Sequence, residues 1–201
     1  MKKRHVLVLV GLILSGVIFW VGYNKYRVVL PIIDTSRSEV GWAGKSVSDT
    51  HTGKVKFSKV NLMFQNGRLS GGNFEVDMNS ITVEDIKDPQ GVKDFIGHIS
   101  TEDFFEVSKF PTATFKITDV KLTRDQEYLV TGDMTIKGIT LPITFPASVT
   151  KENHRYRLHA NVQVDRTAFG IEYGASGKRG SAKDWFIYNE FLLTVNVLSE
   201  K

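Results

Sequence analysis

From residue 39 almost to the carboxyl terminus, apolar and polar side chains alternate in short blocks separated by turn residues, the pattern of strands with one buried and one wet face. The block GKVKFS sets Val55 and Phe57 against Lys54, Lys56 and Ser58. A phase shift at Lys59 then brings Val60, Leu62 and Phe64 onto the apolar face, which predicts a bulge or bend. Asn66 and Gly67 both tolerate positive φ and predict a hairpin, with Phe74, Val76 and Met78 alternating on the return strand. Period-two series recur at Ala113, Phe115 and Ile117, at Tyr128, Val130, Met134 and Ile136, and at Leu141, Ile143, Phe145, Ala147 and Val149. Gly138 turns the second of these into the third. Tyr156 to Val164 and Trp185 to Val197 complete the set. The expectation is an all-β, lipocalin-like antiparallel barrel of about eight strands, whose closure removes the edges that would invite aggregation. A barrel of that size either holds one small ligand or is filled by its own side chains, and the pattern leaves both open.

Between about residues 83 and 110 the alternation stops. Val92, Phe95, Ile96 and Ile99 fall at helical spacing, and Ser100 with Asp103 three positions later resembles a capping box for a second short helix. This is the one substantial helical insertion expected in the domain.

The amino terminus is of a different kind. Residues 6 to 22 form an uncharged apolar run preceded by MKKRH and followed by Tyr23, Asn24, Lys25, Tyr26 and Arg27. As a helix, this run spans about 26 Å against a hydrocarbon core of ~30 Å, so length alone separates neither a signal peptide from a signal anchor. No small-x-small processing site follows it, and Trp20, Tyr23 and Tyr26 are residues of membrane interfaces, which points to an uncleaved anchor. The larger positive cluster, Lys2, Lys3 and Arg4, is expected on the cytoplasmic side, leaving the domain in the cell envelope on the periplasmic or outer side of the cytoplasmic membrane. Release into the periplasm after signal cleavage is the alternative. The expected organisation is thus a transmembrane or signal helix at 1–27, a linker at 28–36 and the barrel at 37–199.

Composition narrows the chemistry. Of the formal net charge of +4, three charges come from Lys2, Lys3 and Arg4, so the domain has no cationic excess of the kind nucleic-acid binding requires. With no cysteine in 201 residues, a thiol nucleophile, a thiolate metal site and an acylated lipoprotein cysteine are all excluded.

Five blocks carry a family resemblance: HTGKVKFS at 51–58, GGNFEVDMNSI at 71–81, GHISTEDFFEVSKFPTATF at 97–115, YLVTGDMTIKGITLPITFP at 128–146 and DRTAFGIEY at 165–173. In this order they resemble the YceI-like family over essentially the whole domain. The resemblance implies an extended lipocalin-like barrel, typically exported, whose apolar interior takes a polyisoprenoid or related long-chain amphiphile. Many relatives carry a cleaved signal peptide, a pattern from which this amino terminus departs.

The residues themselves supply a physical case for a ligand, because thirteen phenylalanines exceed what a minimal barrel core needs. Candidate lipid-lining residues are Phe57, Phe64, Phe74, Val76, Phe115, Ile117, Met134, Phe145, Tyr156, Phe169, Ile171, Ile187 and Phe191, with Phe95, Phe104 and Phe105 as a lid. Arg166, and Lys178 and Arg179 in the glycine-rich loop 174–184, are candidates to meet a polar or phosphate head group. That loop lacks the spacing of a nucleotide-binding motif. No catalytic residues, metal site or cofactor are expected, since neither a nucleophile elbow nor a metal-binding histidine pair is present. The best catalytic arrangement open to the sequence has His51 and His98 converging with Glu102 or Asp103. The expected function is non-catalytic lipid binding, the alternative a packed interaction or stress-response domain of the envelope without an internal ligand. Homodimerisation stays open.

Overall fold

The computed structural model describes residues 28–182 and 185–200; the anchor-like segment 1–27 lies outside them. Among the described residues nine antiparallel strands run β1 Val28–Val29, β2 Glu39–Ser46, β3 Thr50–Gln65, β4 Arg68–Asp77, β5 Thr112–Arg124, β6 Glu127–Ile136, β7 Ile139–Glu152, β8 Arg155–Asp165 and β9 Ile187–Leu198. Each of β2 to β9 pairs with its sequence neighbour and β9 returns to β2, so these eight close into an up-and-down barrel. The short β1 adds Val28 and Val29 against Gln65 and Phe64 of β3. Residues 28–36, expected as a linker, are bonded to the barrel: Asp34 N donates to Leu198 O, and Glu200 N donates to Ile32 O.

The expected local devices have physical counterparts. Asn66 and Gly67 sit at φ 53° and 78°, and Lys137 and Gly138 at 50° and 75°. Both pairs make the two-residue turns whose twist matches a hairpin. The β3–β4 register shifts between Phe57 and Lys59, the bulge that returns Val60, Leu62 and Phe64 to the interior. β4 pairs with β3 only from Lys56 onward, which leaves the upper edge of β3 without a strand on that side. The segment after β4 covers this edge, since Thr82 N donates to Lys54 O and Glu84 N to Thr52 O. It passes so close that a Cβ at Gly53 would fall 1.9 Å from Thr82 O, so only glycine fits there.

Helix α1, Pro89–Ile99, starts where Asp88 accepts from Gly91 N and proline occupies the first helical turn. It lies over one end of the barrel. Ser100 closes α1 rather than opening a second helix, because its Oγ donates back to Ile96 O, and residues 101–109 continue as turns. The expected capping box is therefore a helix end. Single-residue signals for starting and stopping a helix overlap, as a hydroxyl serves either.

The two ends of the barrel differ. At the end carrying the turns near Gly67, Gln126 and Asn153, the interior is filled by Leu62, Phe64, Leu69, Tyr128 and Tyr156, all buried. Phe64 is fully enclosed and stacks on Tyr156 with ring centroids 3.9 Å apart. Replacing it as Phe64→Ala is expected to cost about 3–5 kcal/mol, read as a lower urea midpoint at unchanged slope. A cost near zero would contradict a solid plug at this pole.

Candidate functional site

Above this plug the interior is not filled. Ala147 and Ala160 face each other across β7 and β8, and Ala160 is in turn opposite Val195 on β9. Small side chains at this level leave room, and a cavity of about 520 Å³ extends from here to the other end of the barrel. Its walls are almost wholly apolar, as in sites for small-molecule ligands, which range over ~300–1,000 Å³. Phe57 from β3, Phe74 and Val76 from β4, Phe115 and Ile117 from β5, Met134 from β6 and Phe145 from β7 form one side. Ile171, Ile187 and Phe191 form the other. The rings of Phe57, Phe74, Phe115 and Phe145, from β3, β4, β5 and β7, follow one another along the wall at centroid spacings of 6.2, 6.0 and 5.2 Å, the last step passing over β6.

Three residues expected on the wall lie elsewhere. Phe64 and Tyr156 form the plug, and Phe169 is buried in the core within the 3₁₀ turn Arg166–Phe169. For Phe64 and Tyr156 the face was readable and the height along the barrel was not.

The lid is built from α1 and the turns after it. Phe95, Phe104 and Phe105 border the cavity, joined by His98 and Ile99. Phe95 lies parallel to Trp42 at 6.1 Å and against His51 at 4.6 Å. His98 meets Phe104 and Tyr173 edge-on. Polar contacts fasten this cover at two places. His51 Nδ1 is 2.8 Å from Asp85 Oδ2, and Thr52 N donates to Asp85 Oδ1 at 2.7 Å. Burial pushes the Asp85 pKa up, but the bonds from Thr52 and His51 outweigh it and hold the carboxyl below its ordinary value. On the far side Asp103 pairs with Arg179 and lies 3.7 Å from His98.

The expected head-group residues are thereby committed to other partners. Arg179 also stands over the Tyr173 ring, and Lys178 Nζ is 3.0 Å from Glu172. Neither borders the cavity. Arg166 does border it, yet its guanidinium is turned to the backbone: Nε donates to Tyr188 O, Nη1 to Ile171 O and Tyr173 O, and Nη2 to Ile187 O, at 2.7–3.0 Å. Burial lowers its pKa, with the Asp165 charge working the other way. Asp165 itself is no ion-pair partner; it caps the following turn by accepting from Thr167 N and Oγ1.

The polar groups at the mouth are instead Lys45, Ser46, Asp49, His51 and Glu190. Sequence reasoning named His51 only in a catalytic arrangement and missed the other four, together with Trp42, Tyr173, Trp185 and Tyr188 on the wall. The inward series Val40, Trp42, Gly44, Ser46 carried the signal for β2, whereas Tyr173 lies in irregular chain that no period reveals. His51 and His98 both border the cavity but bind different carboxylates, Asp85 and Asp103. Among the described residues no group of three or more histidine or acidic side chains could hold a metal ion.

The comparisons agree with this architecture. The family description that matches residues 32–198 is the YceI-like domain. UPF0312 proteins of Pseudomonas putida F1 and Pseudomonas syringae pv. syringae B728a are 38% and 46% identical to the chain over 81 residues. These matches span 37% of the chain and 42% of each relative, so the chain matches about two-fifths of the length of these curated relatives. Among solved structures, Burkholderia cenocepacia BcnA is similar with a TM-score of 0.70 at 20% identity, over 84% of this chain and 99% of that one. A polyisoprenoid binding domain from Saccharophagus degradans, implicated in plant cell wall breakdown, is similar with a TM-score of 0.62 at 14% identity, over 87% and 99%. At such identities the likeness concerns the fold. With the family match extending over nearly the whole of the described barrel, the chain belongs to the YceI-like family.

Proposed function

We propose that this barrel binds, without catalysis, the apolar chain of a polyisoprenoid or related amphiphile inside its cavity, and that it does so in the cell envelope, tethered by residues 6–22. The cavity carries the reading: about 520 Å³ bordered by a belt of phenylalanines and aliphatic side chains, open at one end past a few polar groups. A barrel packed solid for external interactions would have filled this space, since protein interiors are otherwise close-packed. The polyisoprenoid-binding Saccharophagus domain of the same fold supports the ligand class. Lys45, Ser46, Asp49, His51 and Glu190 are placed to meet a polar head at the mouth.

The volume sets the length of chain that is buried. At ~30 Å³ per non-hydrogen atom, comparable to a water molecule's share of liquid, the cavity takes about 17 such atoms, or three isoprene units and a small head. Each buried methylene contributes about 0.8 kcal/mol, close to a fourfold change in affinity. Native mass spectrometry of the full chain, followed by extraction, should therefore find a stoichiometric lipid. In a homologous series of prenyl alcohols, Kd should fall with chain length to roughly this size and then level off. A protein that comes without lipid and binds no prenyl alcohol of any length would rule the reading out.

A further inference from the structure

The first described residue and the cavity mouth lie at opposite poles of the barrel. Val28, the first described residue, pairs with Gln65 beside the Asn66–Gly67 turn, at the plugged pole. The mouth is bordered by the other end of the same strand, at His51. Fourteen residue steps at ~3.3 Å, inclined as barrel strands are by about 40°, separate the two by roughly 35 Å along the barrel axis. Between the apolar run and Val28 stand only Tyr23 to Arg27, which reach at most about 20 Å even fully extended. The plugged pole also bears its own apolar surface. Val28, Leu30 and Ile32 are 56%, 66% and 69% exposed, while the intervening Val29 and the following Ile33 pack against the core. Water-facing side chains of this kind on three alternate positions, directly after a membrane-like run, fit the headgroup layer of the bilayer that holds the run.

We propose that the barrel stands on its own membrane by its plugged pole, the Val28–Leu30–Ile32 stripe resting in the lipid interface and the mouth facing away into the aqueous space. This rests on reading residues 6–22 as a retained anchor. Its consequence for mechanism is that ligand does not pass between the cavity and the anchoring bilayer by contact of the mouth with that bilayer.

The test uses the full chain, which has no cysteine to remove. Single variants Arg68→Cys and Asp125→Cys at the plugged pole and Ser48→Cys at the mouth, all exposed positions, each carry a donor dye. The labelled proteins are reconstituted in phosphatidylethanolamine–phosphatidylglycerol vesicles containing a headgroup-linked acceptor. Energy transfer is expected to be severalfold stronger from positions 68 and 125 than from 48. Equal transfer from all three, meaning a barrel on its side, or stronger transfer from 48 overturns the orientation while leaving the tether intact. Protein that is recovered from cells without residues 1–22, or that fails to float with the vesicles, overturns the tether and the orientation with it.

Discussion

Gly44→Phe is expected to abolish most lipid binding while leaving the barrel as stable as before, or slightly more so. Gly44 sits on β2 between Trp42 and Ser46, in phase with both, and all three border the cavity. A Cβ built there meets no heavy atom within 4 Å. A benzyl group at this position therefore starts from open space and takes up volume that the ligand would occupy. It takes the place of about six or seven ligand carbons, and at ~0.8 kcal/mol per buried methylene even half of that loss exceeds 2 kcal/mol. The expected weakening is about 100-fold or more for a prenyl alcohol that fills the cavity, measured by fluorescence competition. Gly44→Ala adds one carbon and should cost only about fourfold. Thermal stability should hold or rise, because glycine in a strand interior costs roughly 0.5–1 kcal/mol relative to residues with side chains. Unchanged binding in Gly44→Phe would place the lipid outside the barrel, a result that no loss of folding could mimic.

That position also marks where the sequence stopped being informative. Which face of a strand turns inward follows from a period of two, and the chain states it plainly in the series Tyr156, Leu158, Ala160, Val162, Val164. Turns are equally explicit where two residues must adopt positive φ, as at Asn66–Gly67. Height along the barrel is not a local property. Phe57 and Phe64 both turn inward on β3, on either side of its bulge, yet one borders the cavity and the other is locked under Tyr156, whose ring arrives from β8. Nothing within β3 distinguishes them, because the difference lies in what the opposite wall contributes at each level. The same holds for the small residues. Ala147 and Ala160 read as ordinary inward positions, and only their registry across β7 and β8 shows that the packed floor ends beside them.

The partners of charged residues were illegible for a related reason. Lysine and arginine near a glycine-rich loop suggest an anion site, since exposed backbone amides and cations do make such sites. Here Lys178 and Arg179 find Glu172 and Asp103, and the second pairing joins the loop to the lid. The partner in that case is 76 positions away in the chain, far outside any motif window. His51 and Asp85 fasten the opposite side of the lid in the same manner, across 34 positions. The lid is thus held by contacts between groups distant in sequence, and the pattern of apolar residues at 92–99 predicted the helix without showing what it closes.

Arg166→Leu is expected to destabilise the protein by about 3–5 kcal/mol, a larger effect than any loss of a solvent-exposed ion pair would give. A guanidinium has five N–H groups, and four of those on Arg166 go to the carbonyls of Ile171, Tyr173, Ile187 and Tyr188. The side chain is only 5% exposed, and among the described residues it has no ion-pair partner. One planar cation therefore ties the chain after β8 to the beginning of β9, at the rim where Ile171, Tyr173, Ile187 and Tyr188 all border the cavity. Leucine fills some of the volume and satisfies none of the four oxygens, whose desolvation then goes uncompensated. At this chain length, the transition should fall by roughly 10 °C in a thermal scan, with a parallel drop in urea midpoint. Arg166→Lys keeps the charge but has a compact ammonium with three donors, too few for four acceptors arranged around a fork, and should recover only part of the loss. The pair of variants separates two roles for this residue. If Arg166 served chiefly to bind an anionic head group, leucine would weaken binding of a phosphorylated lipid while an uncharged prenyl alcohol and the melting temperature stayed unaffected. The four carbonyl bonds predict the reverse: a large fall in stability, and weakening of both ligands alike as the rim that closes over them loosens.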